Sequence, residues 1–299
     1  MKQKILKISD KKDIDKYLSY AKHNLSVYNF ANIYIWNKLY KITWSIIDDN
    51  LCIFFKDKFG CFLYLPPLGK KPSRLAVIRA FEEMNKVNTN QEISRVENIE
   101  QGELNFFLGL GLESQPKSGE YVCDRRELAE LKGNKFKSKR ASYNYFVKNY
   151  QYEITPYRPK DKKTCLNLFN LWSAQRRLQE NDKIYTGMIE DSKKCLEVLL
   201  NNYALLGILG NVVIVDKKVK AFTFGYSLNA DTFCVLYEIT DLRVKGIAQF
   251  IFREFSKILK NYRLINIMDD SCLENLKQVK RSYHPVKLIP AYIAREKHA

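Results

Sequence analysis

Three stretches carry residue types and spacings that can do chemistry. The first is "TFCVLYEITDLRVKGIAQFIFREF", residues 232–255. Its apolar run to Ile239 predicts a strand, a polar loop holds Lys245 and Gly246, and the run from Ile247 predicts a helix. A glycine at a helix start lets the backbone approach a ligand closely. The N–H groups of such a first turn suit a phosphate or a developing oxyanion. Lys245, Gly246, Ile247 and Gln249 are therefore the donor-binding candidates. Read alone, the stretch is equally an ordinary strand-to-helix turn, because it has a single glycine and no Q/R-x-x-G-x-G/A run.

The second is "IMDDSCLENLKQVKRSYHP", residues 267–285. Ser271 and Glu274 have capping-box spacing, which predicts a helix starting near Cys272. Asp269 and Asp270 then fall between a strand end and a helix start, where open α/β sheets bind ligands. Either carboxylate can hold an amino group or take its proton; the bland reading of Asp270 is a second cap. Lys277, Lys280 and Arg281 share a helix face by their i, i+3, i+4 spacing. His284, followed by Pro285, is expected to be structural.

The third is "LKGNKFKSKRASYNYFVKNY", residues 131–150, with six cations and no acid. Helical projection puts Phe136, Tyr143, Val147 and Tyr150 on one stripe, with Lys135, Lys139 and Arg140 on its shoulders. The stripe is expected to pack on the domain while the cations face a phosphate backbone. Tyr145 lies off the stripe, free to stack on an unpaired base. The bland alternative is a solvated basic helix.

These stretches need elements to position them. A chain of 299 residues has room for two average domains or one large one. In the first half, helices are expected near 13–22, in "NFANIYIWNKLY" and in "PSRLAVIRAFEEMNK", where Leu75, Ile78, Phe81 and Met84 share a face. Short strands fall at "WSIIDD", "LCIFF" and "CFLYL", separated by hairpin signals. The second half repeats the plan. Helices near 161–175 and 191–201 lead into strands "LLGIL", "VVIVD", "KAFTFGYSL" and "TFCVLYEI". A helix follows with Ile247, Phe250, Ile251, Phe255, Ile258 and Leu259 on one face, then "RLINIM", "ENLKQVKR" and a last strand "VKLIPAYIA". "ESQPKSGEY" is the most loop-like stretch near the join, by its Pro, Ser and Gly.

Composition narrows the partners. Fifty Lys and Arg against 33 acids leave a net charge of +17, which attracts phosphate-rich partners or an anionic membrane surface. A lysine-rich genome would give the same excess. Seven cysteines without a C-x-x-C pair, several in apolar runs such as "LCIFF" and "FCVLY", read as buried thiols in a reducing compartment. With three histidines and no thiol–imidazole cluster, no metal site is expected. The N-terminus lacks an apolar signal region, and no apolar run reaches the ~18 to 20 residues of a membrane span. The expected location is cytoplasmic, with peripheral attachment at the inner membrane surface left open.

Element order and several motifs together resemble the cytosolic C-terminal domain of bacterial phosphatidylglycerol lysyltransferases and soluble proteins that share it. The matching stretches are "LKGNKFKSKRASYNYFVKNYQYEITPY", "LWSAQRR", "VKAFTFGYSLNADTF", "KGIAQFIFREF" and "DDSCLENLKQVKRSYHPVKLIPAY", with "FANIYIW" and "LPPLG" in the first half. The resemblance implies an α/β (α+β) chain of two tandem GNAT-like domains, 1–127 and 128–299, each a mixed, mostly antiparallel sheet flanked by helices. It implies an aminoacyl-tRNA co-substrate, with no permanently bound cofactor, and a lipid headgroup or peptide acceptor. On that reading Asp269, Asp270 and Glu238 handle the amine, Gly246 and its neighbours hold the donor ester, and Lys135, Lys139, Arg140, Lys277 and Lys280 bind RNA or headgroup phosphate. The lysyltransferases carry Asp-Leu-Met-Arg in the strand before the donor loop. This chain has Val235-Leu236-Tyr237-Glu238 there, so the charge around an incoming aminoacyl group differs. Two alternatives stay open: an acyl-CoA N-acyltransferase on the same fold, and a non-catalytic basic protein that binds RNA or anionic membrane.

Overall fold

The structure, a computed structural model, describes residues 2–178 and 183–297. The chain forms two compact units, Met1–Glu120 with Ile289–Ala299, and Tyr121–Leu288. The first holds β1 (Lys4–Ile5), α1 (Lys11–Leu18), α2 (Phe30–Tyr34), β2 (Lys41–Ile47), β3 (Asn50–Lys56), β4 (Cys61–Leu63), α3 (Arg74–Asn85), β5 (Arg95–Glu100) and α4 (Leu104–Gly109). Strand β6 (Glu113–Asp124) runs across the boundary. The second unit continues with α5 (Arg125–Glu130), α6 (Lys137–Asn149), β7 (Tyr152–Pro156), α7 (Lys162–Arg177), α8 (Lys183–Asn201), α9 (Tyr203–Leu206), β8 (Leu209–Val215), β9 (Lys218–Ser227) and β10 (Thr232–Thr240). It closes with α10 (Ile247–Ile258), β11 (Leu264–Asn266) and α11 (Glu274–Arg281), and β12 (Lys287–Arg295) is the last element in the order.

Both units follow one plan. In the first, β2, β3 and β4 form an antiparallel meander, α3 follows, and β5 returns parallel to β4. In the second, β8, β9 and β10 form the meander, α10 follows, and β11 returns parallel to β10. The first hairpin of each meander turns through two residues with positive φ, Asp48-Asp49 and Asp216-Lys217. That is the geometry that matches the right-handed twist of the flanking strands. The sequence therefore encodes the tandem mixed sheets through paired turn and helix signals.

Several expectations shift. The join expected at 127/128 falls at 120/121, and the last residues belong to the first unit, because β12 pairs antiparallel with β5. Sequence proximity carries no information about such a return. "ESQPKSGEY" is not a loop but the body of β6, whose first half is largely exposed and so tolerates Pro and Ser. "LLGIL" and "VVIVD" are not two strands. Helix α9 takes the first leucines, Gly207 turns the chain at φ 69, and β8 is continuous. On α3 the buried set is Ala76, Val77, Ala80, Phe81 and Met84, with Leu75 and Ile78 exposed. On α6 Phe146 is fully buried and Val147 exposed. Phe146 packs 4.5 Å from Phe250 in a cluster with Ile247 and Ile251, so the ring fills a space that valine leaves open. Helix α10 buries its expected face apart from Ile258, which is exposed.

Candidate functional site

Strands β10 and β11 pair at Thr232↔Leu264, Phe233↔Ile265 and Cys234↔Asn266, and there β11 stops while β10 continues to Thr240. Buried Asn266 turns the chain away, its Oδ1 accepting from Met268 N at 2.7 Å. Met268 takes φ 63, a left-handed conformation. Beyond this point the two parallel strands part.

A β-bulge sets what faces the gap. Pairing with β9 steps from Val235↔Gly225 to Tyr237↔Phe224, so Leu236 has no residue opposite. Phe233 and Val235 pack with Phe252, Phe255 and Tyr283. Strict alternation would place Tyr237 on the same side. The extra residue reverses it: the Tyr237 hydroxyl donates to Ser192 O on α8 at 2.8 Å. Glu238 takes the side of Tyr283, Lys139 and Lys280.

Glu238 is partly buried, and no described residue donates a hydrogen bond to its carboxyl. Burial pushes its carboxyl up to about 8, against the pull of Lys139 and Lys280. Burial lowers the pKa of Lys139, with Glu238 opposing. Its Nζ lies 3.9 Å from the Tyr283 ring centroid, a cation–π contact. The Lys280 ammonium donates to Ile267 O, where the strands have parted. One carboxyl from β10 thus lies within electrostatic reach of one lysine from α6 and one from α11. A carboxyl titrating near neutrality can take a proton, and the two ammoniums near it can stabilise a developing oxyanion.

The other expected site residues are placed differently. Asp269 and Asp270 build their own loop. Asp269 Oδ1 accepts from Ser271 N at 2.7 Å and from Ser271 Oγ. Asp270 accepts from Cys272 N at 3.0 Å and from the Tyr121 hydroxyl at 2.7 Å. The S-x-x-E spacing makes no capping box, because Ser271 and Cys272 adopt left-handed φ of 49 and 59, and α11 starts later, at Glu274. Two adjacent acids here satisfy the amides of a strained turn, which leaves them poorly placed to handle an amine.

Gly246 does precede α10 at φ 84, but its absent Cβ would lie 2.1 Å from Ser142 O. The close approach that demands glycine is to α6, not to a ligand. Ile247 is core, Gln249 is partly buried, and the Lys245 ammonium lies 4.5 Å from the Tyr145 ring centroid. Lys135 pairs with Glu127 at 2.7 Å and Lys277 with Glu274 at 3.5 Å. Arg140 donates to Leu131 O and to Gly133 O, holding a turn in which both residues have positive φ. His284 plays the structural part expected, its Nε2 3.0 Å from Lys135 O.

Asp241 escaped notice in the sequence. It is fully buried and accepts from Lys220 at 2.8 Å, from Arg243 and from Gln175. Burial would raise its carboxyl, but the Arg243, Lys220 and Gln175 hydrogen bonds outweigh that and hold it far below the usual range. It fastens the β10–α10 turn to β9 and α7. The one readable signal was Arg243 two residues on. Among the described residues no three His, Cys, Asp or Glu side chains converge as a metal site, and no helix is long and apolar enough to cross a membrane. Six cysteines are buried free thiols and Cys272 is exposed.

A family model described as phosphatidylglycerol lysyltransferase, C-terminal, matches residues 19–295. A conserved protein of unknown function from Bacteroides thetaiotaomicron superposes with TM-score 0.86 at 27% identity, covering 99% of both chains. L-PGS from Bacillus licheniformis superposes with TM-score 0.64 at 14% identity, covering 96% of this chain and 92% of its own. A tandem GNAT protein from the clavulanic acid biosynthesis pathway gives 0.51 at 8% identity, covering 100% of this chain and 99% of its own. The last two likenesses establish a shared tandem GNAT fold. No curated protein matches the sequence.

Proposed function

The chain belongs to the phosphatidylglycerol lysyltransferase C-terminal family, and from that premise we propose that it transfers an aminoacyl group from charged tRNA to an amine or hydroxyl acceptor. The observation that carries the reading is Glu238, turned by a bulge to the sheet face where the charges of Lys139 and Lys280 act on it, beside the point at which β10 and β11 part. The acceptor nitrogen or oxygen attacks the ester carbonyl, Glu238 takes its proton, and the bond to the ribose oxygen breaks as the proton passes to that leaving oxygen. Lys139 and Lys280 supply positive charge where the oxyanion develops. Orientation of the two substrates supplies much of the remaining acceleration. A lipid headgroup or a peptide amine is the acceptor class, and the work is done at the membrane surface or in the cytoplasm.

The test is incubation with mixed radiolabelled aminoacyl-tRNAs and cell extract, followed by separation of lipid, peptide and protein fractions. Label is expected in one fraction with the native chain and not with Glu238→Gln. Transfer from acetyl-CoA with none from any charged tRNA would replace the donor. Silence with both would leave a binding protein.

A further inference from the structure

Away from the strand gap, a cavity of about 510 Å³ opens on the second unit, lined by residues of α5 and the C-terminal part of α10. Five cations line it, Arg125, Lys132, Arg253, Lys257 and Lys260, against the single acid Glu130. Two of them are held by main chain. Arg253 Nε donates to Ala129 O at 2.9 Å and a terminal nitrogen to Glu130 O at 3.3 Å, while its guanidinium carbon lies 4.2 Å from the Tyr143 ring centroid. Arg125 Nε donates to Tyr262 O at 3.2 Å. Neither guanidinium uses all five of its donors in these bonds. Lys132 pairs with Glu130 and Lys257 with Glu254, whereas Lys260 has no partner among the described residues.

We propose that this groove docks the phosphodiester backbone of an RNA strand, at a site separate from Glu238 and its lysines. A guanidinium already fixed in place loses little freedom on meeting a phosphate and offers it a planar fork. Arg253 and Lys257 stand one helical turn apart, roughly 6 Å along the axis. That separation serves phosphates one or two steps apart on a strand that rises ~3.4 Å per nucleotide. A flat anionic bilayer is held by loosely tethered lysines on an outward surface. Guanidiniums held by main chain suit the discrete, regularly spaced phosphates of a strand. Arg253 also closes the C-terminal carbonyls of α5, so the exposed lysines are the ones to change.

The readout is fluorescence anisotropy of a labelled single-stranded RNA oligonucleotide across a NaCl series, which is independent of acyl transfer. Lys257→Gln/Lys260→Gln is expected to weaken binding roughly tenfold at the lowest salt and to flatten the log Kd against log salt slope by about 1.4, two contacts' worth. Lys132→Gln, on the opposite wall, is expected to flatten it by about half as much. Lys12→Gln/Lys71→Gln, exposed on the first unit, is expected to leave the slope unchanged. The groove is refuted if both wall variants keep the native slope with an unaltered thermal transition. It is equally refuted if the native chain binds no RNA, or if the variants lose affinity for phosphatidylglycerol vesicles but not for RNA.

Discussion

In the first unit β4 and β5 run parallel at Leu63↔Val96, as β10 and β11 do in the second. Past that pair, the first unit ties the strands together. Asn98, at φ 57, donates from Nδ2 to Tyr64 O at 2.8 Å, its carbonyl accepts from the Tyr28 hydroxyl at 2.9 Å, and its Oδ1 accepts from Lys117 at 3.0 Å. Neighbouring Glu97 accepts from Arg95 at 2.6 Å and Lys117 at 2.7 Å. Burial pushes that carboxyl up, but the two cations outweigh it and bring it below its ordinary value. In the second unit the carboxyl at the corresponding opening, Glu238, receives no hydrogen bond from the described residues, and burial wins. One plan thus yields a saturated scaffold in one copy and an unsaturated, titratable group in the other. Polar groups satisfied within the fold hold it together, and those left perturbed are where chemistry concentrates.

The contrast breaks most visibly at Glu238. Glu238→Gln is expected to lower acyl transfer by at least roughly 100-fold, the range for loss of a general base, whereas Asn98→Ala leaves the rate within about twofold. Label transfer per unit folded protein measures both. A pH series sharpens the point. As general base Glu238 must be ionised, so the native rate should rise with pH and level off above about 8. Its stability effect runs the other way. The folded value lies above the ordinary 4.5, so the contribution is full below 4.5 and is lost as pH rises towards about 8. The thermal midpoint of Glu238→Gln should therefore gain on the native chain between pH 5 and pH 8.

The scaffold side predicts smaller, purely structural losses. Asn98→Ala leaves the Tyr64 carbonyl without its side-chain donor and takes one acceptor from Lys117, and should cost roughly 2 kcal/mol in urea unfolding. Gly246→Ala meets Ser142 O at 2.1 Å with φ at 84, and should cost roughly 2 kcal/mol through strain. Tyr121→Phe removes one hydrogen bond to Asp270 and should cost about 1 kcal/mol. A rate loss for Asn98→Ala matching that of Glu238→Gln would erase the distinction between the two openings.

Legibility in the sequence followed the range of the interactions. The turn at Asp216-Lys217, the α10 face and the doubled plan were readable because each depends on neighbours a few residues away, while the first hairpin turn, expected at Asp49-Asn50, lies one residue earlier at Asp48-Asp49. Glu238 was named, but from its place in a family motif and as one of three acids handling an amine. Its separation from Asp269 and Asp270 rests on the Leu236 bulge and on lysines 99 residues before and 42 after it in the chain. The basic run 131–150 looked like a phosphate face, yet Lys135 and Arg140 serve the local fold and Lys139 turns inward. The cations of the 510 Å³ cavity passed unnoticed because they are dispersed from Arg125 to Lys260.

By itself the sequence determined the class of fold, the repetition of one plan, the family and the overall positive charge, since local periodicity, turn chemistry and composition survive without coordinates. Tertiary structure alone decided which carboxyl stays unsatisfied, which cations are consumed in holding the chain, and which strand completes which sheet. Those outcomes depend on desolvation and on partners far apart in the chain, and neither is encoded in spacing.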